Sequence, residues 1–158
     1  MNKIILTLSH NMIHEFHQFM REVLEKGYLL SLGIADKDGP WVADVIYVFD
    51  EDFNVYWMSL KERRHSRAID QGYPRVAAAI AVTHGPDQPD EGLQISGTAQ
   101  QVLDPSPELL KQWMKKKGKT YTEEMGIVLD EHVWYQLIPD RIELIYGAKF
   151  GHERQKVK

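Results

Sequence analysis

Met12, Phe16, Phe19, Met20, Val23 and Leu24 recur at spacings of three and four. That is the period of a helix apolar along one side, and it predicts a helix over residues 10–26. Gly27 ends it, since glycine tolerates the left-handed backbone of a helix terminus. The period then shortens to two. Residues 28–35 place Leu30, Leu32 and Ile34 on one face of a strand, and 41–49 and 53–59 continue as strands. Further strands are predicted over 75–83, 93–103 and 132–146.

The punctuation agrees with this reading. Asp36-Lys37-Asp38-Gly39-Pro40 is a hairpin turn, and Asp50-Glu51-Asp52 is a second turn. Gly97 predicts a bulge, and Pro139-Asp140-Arg141 predicts an interruption of the last strand. Glu62 to Gln71 reads as a short helix closed by Gly72 and Pro74. Ser106-Pro107-Glu108 opens another that ends near Gly118, with Ser106 as its cap, and Thr122-Glu123-Glu124 starts a further short one. Strands linked by tight turns, with little helix to cover them, bury both faces only by closing on themselves. The expected fold is mainly β: a six-stranded antiparallel barrel with peripheral helices, one domain over 1–158. The barrel spans about 28–146, followed by a tail at 147–158 whose last four residues fray.

Composition narrows the function classes. The 158 residues suffice for one core, and 43% are hydrophobic. A formal charge of −4 argues against sequence-independent binding to a nucleic-acid backbone. The absence of cysteine excludes disulfides and thiolate metal sites, and is compatible with a reducing cytoplasm. No apolar run is long enough to span a bilayer, and the first eight residues are too brief for a secretory signal. The expectation is a cytoplasmic protein with no membrane and no nucleic-acid partner.

Against that acidic background stands Trp57-Met58-Ser59-Leu60-Lys61-Glu62-Arg63-Arg64-His65-Ser66-Arg67. An aromatic strand ends in a hydroxyl and passes into Lys61, Arg63, Arg64, His65 and Arg67. A hydroxyl followed by cations at a helix start is chemistry suited to a phosphate. A short helix turns at most two or three of these toward one anion, and the alternative is a solvated, salt-bridged surface.

Two other stretches join this one. Pro139-Asp140-Arg141-Ile142-Glu143 with Gly147 and His152-Glu153-Arg154 resembles the closing motif of the pyridoxamine 5′-phosphate oxidase-like, FMN-binding split β-barrels. Leu93-Gln94-Ile95-Ser96-Gly97 is similar to the Gln-bearing strand of that family, and Arg63-Arg64-His65 occupies the place of its phosphate clamp. The three occur in the family's order and cover most of residues 28–154. The resemblance implies a homodimer with FMN at the dimer interface. It implies that Arg64 and His65, with Arg63 and Ser59 beside them, hold the phosphate. Val45, Trp57 and Met58 line the isoalloxazine, and Gln94 and Arg154 contact the flavin, partly from the other subunit. Tyr47, Phe150 and His152 are the implied substrate-side residues.

The departures point away from the oxidase proper. An arginine that there helps hold the substrate phosphate is Phe150 here, and His65 replaces a lysine. The implied activity is an FMN-dependent oxidoreductase with a different, more apolar small-molecule substrate and an electron donor such as a nicotinamide. A non-catalytic flavin carrier and a haem-binding split barrel are the alternatives. No nicotinamide fingerprint, phosphate loop or nucleophile elbow occurs. His10, His14 and His17 lie at helical spacings but match no zinc motif, so no metal is expected. His84 and His132 read as ordinary polar residues, Trp41, Trp113 and Trp134 as core or interface, and Lys115-Lys116-Lys117 as a solvated helix end.

Overall fold

A computed structural model describes residues 2–82 and 85–158, with backbone alone for 2–11, 127 and 128. The elements run α1 (Asn2–Lys26), β1 (Leu29–Asp36), β2 (Gly39–Phe49), β3 (Val55–Leu60), α2 (Arg64–Asp70), β4 (Arg75–Ala81), β5 (Glu91–Val102), α3 (Pro107–Lys116), α4 (Glu123–Leu129), β6 (His132–Tyr146), α5 (Gly147–Phe150) and β7 (Gln155–Lys156). The strand order is β3-β2-β1-β4-β5-β6-β7, and β3 also pairs with β6. Six strands therefore close into an antiparallel barrel, as the alternation of residues required.

Alternation decides what fills it. Leu30, Leu32 and Ile34 point inward from β1, and Val55 and Trp57 from β3. Trp57 stands opposite Tyr135 on β6, and their rings stack at 5.9 Å with both side chains fully buried. Each large side chain removed from water contributes about 1.5–3 kcal/mol, so the interior dominates the stability. α1 adds Met20, Val23 and Leu24 to the same core. Tyr47 reaches from β2 to donate its phenol to the Leu24 carbonyl at 2.9 Å. The outward faces of β2, β3 and β6 are covered separately: Leu109, Trp113 and Met114 of α3 pack on Val48 and Trp134.

Several expectations change. The first helix starts at Asn2 rather than near residue 10, and Met12 is 55% exposed instead of sharing the buried face. β6 runs unbroken through Pro139. Its register with β5 shifts between Ser96 and Gly97, so Gly97 faces Pro139 and Asp140 is the extra residue. Proline lacks an N–H and is tolerated where the ladder is already disrupted. The bulge expected at Gly97 is present and absorbs the expected interruption. Ser106 precedes α3 but makes no side-chain cap bond, whereas Thr122 accepts from the Met125 amide. The tail is not frayed: Gln155 and Lys156 pair with β6, and Val157 donates to the Ile142 carbonyl at 2.9 Å. Thr83 and His84, at the end of the expected fourth strand, lie outside the described residues.

Candidate functional site

β2 and β3 pair only from Phe49–Val55 to Tyr47–Trp57. Beyond that point each strand finds its partner elsewhere: β2 on β1, and β3 on β6 through Leu60–His132. The two strands part, and their facing backbone edges open onto a groove of about 710 Å³. That is within the usual range for a small-molecule site, about 300–1,000 Å³. Val45 and Ile46 form one wall and Met58 and Ser59 the other, with Arg63, Arg64 and His65 at the end where α2 begins.

Ser59 ends the inward-facing row of β3, which turns its hydroxyl toward the start of α2. Its Oγ lies 2.8 Å from His65 Nε2, and each residue is only 7% exposed. Burial, with the Arg63 charge nearby, pushes the His65 pKa down from its ordinary value, so the ring is neutral at neutral pH. A neutral imidazole carries one N–H and one acceptor, enough to exchange a hydrogen bond with Ser59 and leave one nitrogen for another group.

Arg64 is committed to the barrel itself. Its Nε and Nη2 donate to the two oxygens of Asp36 at 3.0 and 2.8 Å, and Nη2 also reaches the Gly39 carbonyl at 3.1 Å. The guanidinium lies 5.1 Å from the Trp41 ring centroid. The hydrogen bonds from Arg64, helped by the Asp38 amide and the Arg64 charge, hold the Asp36 carboxyl down at about 2. Arg63, one residue earlier, is exposed and makes no side-chain hydrogen bond or ion pair among the described residues.

The structure thus brings together Val45, Met58, Ser59, Arg63, Arg64 and His65, all expected from sequence. Trp57 and Tyr47 need correction. The Trp57 indole is fully buried inside the barrel, with Nε1 unpartnered, so its side chain does not line the groove. Tyr47 is equally buried, and its hydroxyl is committed to α1. Alternation explains both, because the inward positions of β2 and β3 belong to the core. Gln94, Phe150, His152 and Arg154 lie away from the groove of their own chain. Arg154 donates to Gln94 at 2.9 Å, Phe150 packs on Phe16 and Phe19, and His152 is exposed. Among the described residues no cluster of three potential ligands could hold a metal ion, and no helix is long and apolar enough to cross a membrane.

Solved structures with this architecture decide the fold. A Listeria innocua protein provisionally named a pyridoxamine 5′-phosphate oxidase superposes with a TM-score of 0.63 at 19% identity, over 82% of this chain and 98% of that one. This chain folds as a pyridoxamine 5′-phosphate oxidase-like split barrel. An F420 reductase shares the split barrel with a TM-score of 0.60 at 21% identity, over 77% and 93% of the two chains. The haem storage protein HutZ of Vibrio cholerae shares it at 0.58 and 18%, over 79% and 91%. No protein-family model matches the sequence, and no curated protein matches it.

Sequence reasoning missed two residues of this split barrel's groove region. Trp41 is 46% exposed at the groove, and Asp36 ties down Arg64. Neither carries a local signal. Both reach α2 only because the β1–β2 hairpin, turning at Lys37-Asp38 with Gly39 at φ +95°, brings its end beside that helix.

Proposed function

We propose that this split barrel binds FMN in the groove between β2 and β3 and acts as an FMN-dependent oxidoreductase. The observation that carries the reading is the groove's two-part chemistry. One end offers Arg63, His65 and Ser59, and the walls are apolar side chains beside strand edges that do not pair with each other. The donors suit a phosphate dianion, which takes charge-assisted hydrogen bonds of about 1.5–3 kcal/mol each. Met58 and Ile46 suit a flat apolar ring, and free strand amides and carbonyls suit its polar edge. When bound, FMN would supply the hydride and electron-transfer chemistry, and the protein would supply position and electrostatics. His65, neutral and held by Ser59, would donate to the phosphate without adding charge. Arg63 would provide the counter-charge, and Arg64 would keep the end of the groove in shape.

A homodimer completes the proposal. Leu29, Trp41 and Val42 are exposed beside the groove, and Gln94 and Arg154 stand on this chain away from it. The latter pair would serve the groove of a second copy. The substrate would be a small molecule, with a nicotinamide or another reductant as donor. The visible spectrum of freshly purified protein, followed by titration with FMN, tests the reading. Flavin bands or saturable quenching of FMN fluorescence are expected. No binding at high micromolar FMN, or a Soret band with no flavin, overturns it. Turnover with a nicotinamide and an acceptor separates enzyme from carrier, and light scattering reads the dimer.

A further inference from the structure

Trp113 faces the flavin groove, while Gln112, Lys115 and Lys116 on another face of α3 line a separate cavity of about 650 Å³. The C-terminal turns of α1 and the end of β2 complete it. Lys116 does not behave like the end of a solvated cationic run. Its Nζ sits 3.4 Å from the centroid of the Tyr47 ring, which is fully buried and fixed by its bond to Leu24. The same Leu24 carbonyl lies 3.5 Å from Nζ, a weak second contact. An ammonium has three donors, so two are left over.

We propose that Lys116 is the anchoring amine of a second ligand site, which takes a small aldehyde or ketone carrying a carboxylate and holds it as an imine. No carboxylate lies within ion-pair distance of Lys116 among the described residues. Glu51 is taken by Arg21 at 2.8 Å, and Lys26 by Glu91 at 2.8 Å. Glu25 makes no ion pair, Tyr28 is half exposed, and Lys115 has no ion-pair partner among the described residues. The lining sets Arg21, Lys26, Lys115 and Lys116 against Glu25 and Glu51, an excess of cations suited to an acid group. A lysine at a helix C-terminus complements the helix dipole, but an exposed lysine does so equally. That effect does not account for drawing this one over a buried ring, where the charged form loses hydration. Desolvation brings its pKa down to about 8, which leaves a fraction of neutral amine near neutral pH. The face of Tyr47 favours a cation, and a protonated imine is also a cation, so the same ring suits the product.

The step is a condensation. The Nζ lone pair adds to the carbonyl carbon, the carbonyl oxygen leaves as water with the two amine protons, and a C=N bond replaces C=O. No net electrons are transferred.

Glyoxylate is the probe, with borohydride to trap the imine as a carboxymethyl group and peptide mapping to locate it. Near neutral pH, Lys116 should label at least about tenfold faster than the other lysines, since its neutral fraction is larger. Lys116→Arg should lose that fast label while its circular dichroism and FMN titration stay as in the parent protein. Tyr47→Phe, which keeps the ring, should retain it. Labelling spread evenly over Lys115, Lys116 and Lys117, or sparing Lys116, overturns the proposal.

Discussion

Asp36 takes both hydrogen bonds of one edge of the Arg64 guanidinium, although the two residues are 28 positions apart. This pair converts the most obvious phosphate donor of the sequence into a structural tie between the β1–β2 hairpin and α2. Asp36→Asn should release Arg64 into the groove and tighten FMN binding by about tenfold, the effect of one more charge-assisted hydrogen bond. The folded-state pKa of Asp36 is depressed. The pair's contribution to stability is therefore complete above the unfolded value of about 3.9 and lost as pH falls through about 2. Acid titration of the Asn variant should lack that component.

Arg63 and Arg64 should differ when removed. Arg63→Ala should weaken FMN binding roughly ten- to a hundredfold, because its guanidinium has no competing partner. Arg64→Ala should cost less affinity and more thermal stability, since it strands Asp36. Equal losses of affinity with no change in melting temperature would contradict this division of roles.

His65 should make the fold acid-sensitive. Its pKa is lowered in the folded state, so the unfolded chain binds the extra proton more readily. The contribution is complete above the unfolded value of about 6.5 and declines as pH drops below it. Melting temperature should fall between about pH 7 and 5, and His65→Gln should flatten that slope.

Gly97→Ala tests the bulge. A Cβ there would sit 2.1 Å from the Ile138 carbonyl oxygen and 2.8 Å from Leu137 Cδ1, so the β5–β6 ladder must move. A loss of about 3 kcal/mol in urea unfolding is expected. A near-neutral change would show that the strands do not approach so closely.

Tyr47→Phe tests the tie between α1 and the barrel. The Leu24 carbonyl loses its phenol donor while the packed ring remains, so unfolding should show a cost of about 1 kcal/mol. Amide exchange should report faster opening of the α1 C-terminus. An unchanged exchange rate there would mean that α1 is held by packing alone.

Much of the architecture was legible because it is local. The period-two runs from Leu29 onward named all six barrel strands, and Asp38-Gly39 named the first turn. The cluster from Ser59 to His65 was legible for the same reason, since those residues are neighbours in the chain as well as in the groove. Burial of Trp57 and Tyr47 was misread. An aromatic near a candidate site looks like a ligand wall until the parity of its strand shows which face it occupies. Lys116 was misread as solvated because its environment is made by Tyr47 and Leu24, far away in sequence.

By itself, the chain's pattern of residues determined that six strands alternate, where they turn, and that cations gather after the third. Those outcomes depend on side chains a few positions apart. Only the tertiary structure decided that β2 and β3 part after Tyr47–Trp57, that Asp36 captures Arg64, and that Lys116 lies over a buried ring. Each depends on contacts between distant segments, which strand register and barrel closure set once the core has formed.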